Sequence, residues 1–188
     1  MDGVYDELYV LSDLHLGGKR SDTGEDLSIF DQDELLGATL ETLGARGTER
    51  RVGVVLNGDV FDFLAEAGVQ SREERRYFFA EEAARWVGEI LREHPRTWAG
   101  MKAVVAAAEL VIVVGNHDLE LALPTVQAAM RRLLEDGRGG LRFFTDGAGF
   151  RATVAGSEVL CTHGERADPF NAVNHDVLRK QARALRDG

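Results

Sequence analysis

Four short stretches of this sequence carry acids, an amide and imidazoles that together could bind metal ions. The candidate ligands and catalytic groups in them are Asp13, His15, Asp59, Asp62, Asn116, His117 and His163. Carboxylate, amide and imidazole groups suit Mn²⁺, Fe or Zn²⁺, whereas a thiolate zinc site would need more than the single cysteine of this chain. The sequence therefore predicts a site for divalent ions.

A site of this kind could act on a phosphate group. Two ions about 3.5–4 Å apart would clamp a phosphate and activate a water between them. Asp59 is the candidate bridge, because a carboxylate has two oxygens and this residue follows a predicted strand. His117, next to a candidate ligand, is a candidate general acid for the leaving group. Asp62 is placed to hydrogen-bond to His117 and to hold its tautomer and charge.

Three of the stretches follow apolar runs that predict buried strands. The runs cover about residues 7–12, 51–57 and 110–114, and unbroken runs of this kind are typical of strands buried on both faces. Open α/β sheets bind ligands beyond the carboxyl ends of their strands. We therefore expect the polar groups that follow these strands to converge on one site.

The remaining pattern predicts helices and a second sheet. Helices are predicted over residues 30–43, 71–94, 97–108, from Pro124 onwards and over 174–186. Three short strands are predicted over 141–144, 150–154 and 158–161, the last two joined by a hairpin turn. Helix–strand alternation followed by short, antiparallel-looking strands predicts an α/β fold of two packed sheets with flanking helices.

The composition is that of a globular domain without membrane or nucleic-acid signals. The chain has 188 residues, 44% of them hydrophobic and 29% charged, which suits one domain with a full core. A formal net charge of −10 argues against broad electrostatic binding to nucleic acid or anionic membranes. The single Cys161, an acidic amino terminus without a signal-peptide pattern and the lack of a long apolar stretch predict a cytoplasmic protein.

At its polar stretches the chain resembles the calcineurin-like metallophosphoesterase superfamily over about residues 7–170. The matching motifs are Asp13-Leu14-His15, Gly58-Asp59 with Asp62, Gly115-Asn116-His117-Asp118 and Thr162-His163-Gly164. Within the superfamily, Asp13-Leu14-His15-Leu16-Gly17, His163-Gly164-Glu165 and Asp168-Pro169-Phe170-Asn171 are similar to the bacterial branch that includes UDP-diacylglucosamine hydrolases.

The resemblance implies a four-layer α/β/β/α sandwich of two mixed sheets and a centre with two divalent ions. Manganese is the favoured ion, with Fe, Zn, Mg or Ni as alternatives. The implied ligands are Asp13 and His15 on the first ion, Asp59 bridging both, and Asn116 and His163 on the second. The implied reaction is hydrolysis of a phosphodiester, phosphomonoester or pyrophosphate bond in a phosphorylated small molecule or nucleotide-lipid, with His117 assisting the leaving group and Asp62 supporting it.

One departure from the family pattern concerns the carboxyl-terminal part. The family's fifth motif, GHxH, supplies two further histidines, and nothing after His163 matches it. We therefore expect a single domain over residues 1–188 that is truncated relative to the family, with His175 or water as a substitute ligand. The second sheet would then be incomplete, and its open edge would favour homo-oligomers. The alternative is a catalytically weak binding or scaffold module that keeps the fold.

Overall fold

A computed structural model describes residues 3–18, 27–66, 80–138, 140–167 and 169–187. In this part of the chain the strands are β1 (Gly3–Tyr5), β2 (Glu7–Leu11), β3 (Val52–Asn57), β4 (Glu109–Val113), β5 (Leu141–Phe144), β6 (Phe150–Val154) and β7 (Ser157–Cys161). A larger sheet, in the order β2-β3-β4-β5, is parallel throughout. A smaller, mixed sheet has the order β1-β6-β7, with β1 parallel and β7 antiparallel to β6.

Helices connect the parallel strands, and a further helix follows β7. They are α1 (Asp33–Arg46), α2 (Phe63–Glu66), α3 (Ala80–Glu93), α4 (Pro95–Ala107), α5 (Pro124–Leu133) and α6 (His175–Asp187). Proline begins α4 and α5, where its missing N–H would have no helical partner in any case. The helix predicted over 71–94 is described from Ala80 onwards, and its first part lies outside the described residues. Within the described part, no helix combines the length and apolarity that a membrane crossing requires.

The larger sheet is buried on both faces, as its unbroken apolar runs predicted. One face packs against the helices through side chains of β3 and β4 such as Leu56 and Ile112, both fully buried. The opposite face packs through Val55 and Val111 against the smaller sheet, which contributes Phe150. The predicted architecture of two packed sheets with flanking helices is therefore confirmed, and it agrees with the fold that the resemblance implied except that the larger sheet is parallel and not mixed.

The assignment of residues 141–144 to the second sheet is wrong. This strand, β5, pairs in parallel with β4, from Leu110 opposite Leu141 to Val113 opposite Phe144. The physical reason is its connection, because α5 carries the chain back across the sheet and delivers the next strand in the same direction. Its place in the smaller sheet is taken by β1, which is only three residues long and too short to show an alternating pattern. The predicted hairpin of β6 and β7 is confirmed.

Candidate metal centre

The loops that leave β2 and β3 lie side by side, which brings the first two predicted clusters together. Asp13 donates its backbone N–H to Gly58 O at 3.1 Å, and His15 donates to Asp59 O at 2.9 Å. Asp13, His15 and Asp59 all have positive φ, between 49° and 56°. Such angles are rare for residues other than glycine, and three of the five cases in the described residues are predicted metal ligands. Backbone strain is therefore concentrated where these side chains must turn into the site.

The carboxylate of Asp59 lies at the centre of the cluster and is only 4% exposed. Its Oδ1 accepts the backbone N–H of His117 at 2.9 Å. Its Oδ2 lies 3.2 Å from Nε2 of His163 and 3.8 Å from Nε2 of His15. Burial raises the pKa of Asp59, but the hydrogen bonds from His163 and His117 outweigh it, so the net pKa lies below the ordinary value. A charged carboxylate reached from three sides has the properties of a bridging ligand.

The ring of His163 is oriented by the end of β3. Its Nδ1–H donates to Asn57 O at 3.0 Å, which leaves Nε2 directed at Asp59. Asn57 also donates from its side chain to Thr162 O at 2.9 Å, so β3 and the end of β7 are joined here. The hydrogen bond with Asp59 raises the pKa of His163 to about 9, against the opposing effect of burial. A metal ion would have to displace that proton, because a ligating imidazole is neutral.

Two groups of side chains in the described residues could each hold an ion. The first is Asp13, Asp59 and His163, and the second is His15, Asp62 and His117; in each group the ligand atoms lie within 4.8 Å of one another. The Oδ2 atom of Asp62 lies 3.4 Å from Nδ1 of His15 and 3.5 Å from Nδ1 of His117.

The second group shows why an ion would fit. The Nδ1 atoms of His15 and His117 are buried and have no hydrogen-bond partner among the described residues. Buried nitrogens without a partner are uncommon, and an ion bound at His15 would satisfy the nitrogen of that residue. The donor set of carboxylates and imidazoles also suits the divalent ions that the sequence predicted. The residues present therefore fit a metal centre.

The grouping differs in detail from the one that the resemblance implied. Asp13 lies with His163, and His15 lies with Asp62, although His15 is also 3.8 Å from Asp59. Asp59 thus belongs to the first group and also approaches His15 of the second. Asn116 is adjacent to His117 in the chain and lines the groove beside the centre.

The buried carboxylate of Asp118, to which no sequence prediction gave a role, fixes the third loop. Its Oδ1 accepts the N–H of Gly115 at 2.6 Å, and its Oδ2 accepts the N–H of Val60 at 2.8 Å. Complete burial raises its pKa to about 7, against the effect of these two hydrogen bonds. Its position at the end of the Gly115-Asn116-His117-Asp118 motif is the sequence signal that could have identified it.

A groove of about 480 Å³ opens beside the centre, next to Asn116 and His117. Its walls come from α2, the 3-10 turn Leu119–Ala122, the segment before α6 and the first turns of α6. The lining residues are Leu64, Leu119, Phe170, Asn171, Ala172, Val173, Asn174, Val177, Leu178 and Gln181. These are apolar side chains and amides, with no Asp, Glu, Lys or Arg among the described residues that line it. The groove therefore offers an uncharged surface directly beside the candidate general acid.

His175 lies in neither ligand group. Its Nε2 bonds to Glu165 Oε1 at 2.7 Å, and both side chains are buried. In this structure His175 is therefore engaged by Glu165, and the idea that it substitutes for a missing ligand receives no support from the geometry.

Comparison with known proteins gives one result that covers almost the whole chain. Residues 7–187 match a family model described as calcineurin-like phosphoesterase. The matched range contains all the predicted ligands and the loops of both sheets that carry them. Searches of curated proteins and of solved structures found no match.

Proposed function

Because the chain belongs to the calcineurin-like phosphoesterase family, whose members are metal-dependent hydrolases of phosphoester bonds, we propose that its centre works with two divalent ions. The observation that carries this proposal is Asp59, a buried carboxylate of the first ligand group whose Oδ2 lies 3.8 Å from Nε2 of His15 in the second. When bound, the ions would supply positive charge to the phosphate and lower the pKa of an attacking water. Manganese is our first choice because the ligands are carboxylates, imidazoles and an amide.

We assign the ions' ligands as Asp13, His15, Asp59, Asn116 and His163. Asp59 is shared, and the backbone N–H of His117 holds its Oδ1. The Asn57 carbonyl fixes the ring of His163 so that Nε2 faces the centre. Outer partners of this kind orient metal ligands and are part of the site's affinity.

We assign His117 as the general acid. Its side chain is one-third exposed, at the boundary between the ligand groups and the groove. It is therefore placed to donate a proton to the oxygen of a leaving group that lies in the groove. Asp62 Oδ2 lies 3.5 Å from its Nδ1 without a hydrogen bond in this structure, and we propose that the two groups bond when substrate is in place. The second oxygen of Asp62 accepts the N–H of Ala65 at 3.0 Å, which fixes the carboxylate in turn.

The groove supports a substrate whose leaving group is uncharged and partly apolar. Its lining of apolar side chains and amides has no cation in the described residues to pair with a second phosphate. This favours a phosphomonoester or phosphodiester over a pyrophosphate. A nucleotide-lipid, as in the UDP-diacylglucosamine hydrolase-like branch, contains a pyrophosphate and therefore fits the groove less well, although the apolar walls suit its acyl part. The net charge of −10 argues against nucleic acid as substrate.

A second candidate is a binding module with little catalysis, favoured by the lack of a GHxH motif in this sequence.

The edge of the smaller sheet suggests how copies of the chain would associate. β7 forms an edge of the smaller sheet, and Leu160 on it is 50% exposed. An open edge with apolar side chains is a template for pairing, so we propose a homo-oligomer through β7.

The free thiol of Cys161 suits a reducing, cytoplasmic location.

The test of the proposed function compares wild type with Asp59→Asn after loading with Mn²⁺ and desalting. We expect two ions per wild-type chain and hydrolysis of bis(p-nitrophenyl) phosphate or p-nitrophenyl phosphate. Asp59→Asn should lose metal and more than about 100-fold of the activity, because even outer partners of metal ligands are worth about 10–100-fold. Asp31→Asn, at an exposed site, is the matched control.

Two outcomes would overturn parts of this proposal. Full activity in Asp59→Asn would show that the bridging assignment is wrong. Two ions bound to wild type without hydrolysis of either ester would favour the binding module.

A further inference from the structure

Helix α6 is attached to the domain through a buried polar pair, Glu165 and His175. The two side chains bond at 2.7 Å, from His175 Nε2 to Glu165 Oε1, and the residues are only 8% and 5% exposed. Leu178 is the other buried residue among the described side chains of α6. The rest of the helix is rich in charge and exposed. The buried contacts that attach α6 to the domain therefore come from the first turn of this helix.

This first turn links the two loops that flank the metal centre. Glu165 begins a short 3-10 turn, Glu165–Ala167, two residues after His163. On its other side α6 packs against the 3-10 turn Leu119–Ala122 and against α5. That second 3-10 turn directly follows Asp118, in the loop that carries His117. The Glu165–His175 bond thus ties the His163 loop to the helix, and the helix lies against the continuation of the His117 loop.

The same helix forms one wall of the groove. Asn174 accepts the N–H of Val177 at 3.1 Å and fixes the start of the helix. Val177, Leu178 and Gln181 then line the groove opposite Asn116 and His117. A shift of the first turn of α6 would therefore change the groove and the His163 loop together.

The physical reason for the coupling is the cost of leaving a buried polar group unpaired. A carboxylate and an imidazole are tolerated in the interior only while they bond to each other. If one partner is removed, the remaining side chain lowers its free energy by moving into water. For Glu165 that movement would displace the backbone next to Gly164, which has a φ of +96° and can change conformation readily. His163 would then be held only by its ring contacts with Asn57 and Asp59, and its backbone would lose the support of the Glu165–His175 bond.

We propose that Glu165 and His175 are positioning residues that hold His163 toward Asp59 and hold α6 as the wall of the substrate groove. The statement about the groove rests on the proposed function, because it assumes that substrate occupies the groove. The statement about His163 does not depend on catalysis.

The test uses the full chain and four variants. His175→Phe keeps the ring volume and removes the bond to Glu165. His175→Gln is the conservative variant, since its amide nitrogen can still donate to Glu165. Glu165→Gln keeps the size of the other partner. Arg179→Ala is the matched control, because it removes an exposed ion pair with Asp176 on the same helix.

Three measurements separate positioning from general stability. Amide hydrogen exchange of the metal-free protein follows residues 163–167 and α6 against β3 and β4. Calorimetry gives the Kd for Mn²⁺. Steady-state kinetics at saturating Mn²⁺ gives kcat and KM for bis(p-nitrophenyl) phosphate.

For His175→Phe we expect exchange in residues 163–167 and α6 to accelerate at least about tenfold while β3 and β4 stay protected. The Kd for Mn²⁺ should rise about tenfold, the size of effect seen when an outer partner of a ligand is lost. KM should rise by a similar factor while kcat changes by less than about threefold, because saturating Mn²⁺ restores the centre. His175→Gln should recover most of each loss, and Arg179→Ala should match wild type.

The proposal is overturned if His175→Phe leaves the exchange of residues 163–167 and the Kd unchanged. It is also overturned if β3 and β4 lose protection equally, or if His175→Gln does no better than His175→Phe. If His175→Phe does not fold, Glu165→Gln is judged by the same criteria. Exchange and metal binding need no turnover, so a chain without hydrolytic activity would refute the proposed function and leave this test intact.

Discussion

Gly115 offers the sharpest single test of the site geometry. A Cβ at this position would lie 2.1 Å from Asp59 Oδ1 and 2.5 Å from its backbone nitrogen. The φ of Gly115 is outside the left-handed region, so alanine meets no backbone penalty there. The substitution Gly115→Ala therefore acts on one residue, Asp59, through clashes of the new methyl group with its carboxylate and its backbone nitrogen.

The expected loss of activity follows from how far Asp59 must move to relieve the clash. Moving Asp59 Oδ1 from 2.1 Å to an ordinary contact of 3.4 Å requires a displacement of about 1.3 Å. A misplacement of about 1 Å in a catalytic group can cost about 100-fold in rate. Forcing an extra methyl group into a packed region also costs about 1–3 kcal/mol of stability. We expect Gly115→Ala to lose about 100-fold in kcat and one of the two Mn²⁺ ions that we propose for the wild type.

The assay measures kcat, metal content and the melting temperature together. Gly88→Ala, in α3, is the matched control, because its Cβ would meet only Arg92 at 3.5 Å and Leu133 at 3.8 Å. Replacing a helical glycine by alanine should raise stability by about 0.5–1 kcal/mol. Wild-type activity and metal content in Gly115→Ala would refute the reasoning, because Asp59 would then not lie where the structure places it.

Two further predictions concern stability and the groove. Burial lowers the pKa of His94 below its ordinary value of 6.5, against the opposing effect of Asp33 and Glu93. Neutral His94 therefore stabilises the fold at pH values above 6.5. This stabilisation is lost as the pH falls through the lower pKa of the folded state. Urea unfolding from pH 7.5 to 5 should therefore show a loss of stability in wild type that His94→Phe lacks, and parallel curves would contradict this. Val177→Asp should raise KM for an aryl phosphodiester at least about tenfold, because it places a charge in an uncharged groove. Arg179→Ala is its control, and an unchanged KM would show that substrate does not use this wall.

The strands that lead into the site could be predicted from the sequence because their apolar runs have one physical explanation. A run such as 110–114 has no polar face, so it fits only a strand covered on both sides, as β4 is. The strand at 141–144 carried no such information. Its four residues would fit an edge position in either sheet, and only the crossover through α5 decided the pairing with β4.

The candidate metal ligands could be named from the sequence, but their hydrogen-bond partners could not. Asp59 and His163 were identified by residue type and position after strands. The hydrogen bond that orients His163 joins it to Asn57, 106 positions away, and no local pattern encodes that distance. The Glu165–His175 pair was hidden for a related reason, since a histidine near the start of a charged helix has the same sequence signal whether it is buried or exposed.

The sequence by itself determined the chemistry of this protein: carboxylates, an amide and imidazoles after buried strands, in the order of a phosphoesterase. Residue type and strand position are local properties, and the sequence states them directly. The tertiary structure alone decided which ligands share a group, that Asp59 of the first group approaches His15 of the second, and that α6 closes an uncharged groove beside His117. Those relations depend on how distant segments pack, and packing is set by the sum of many contacts that no short stretch contains.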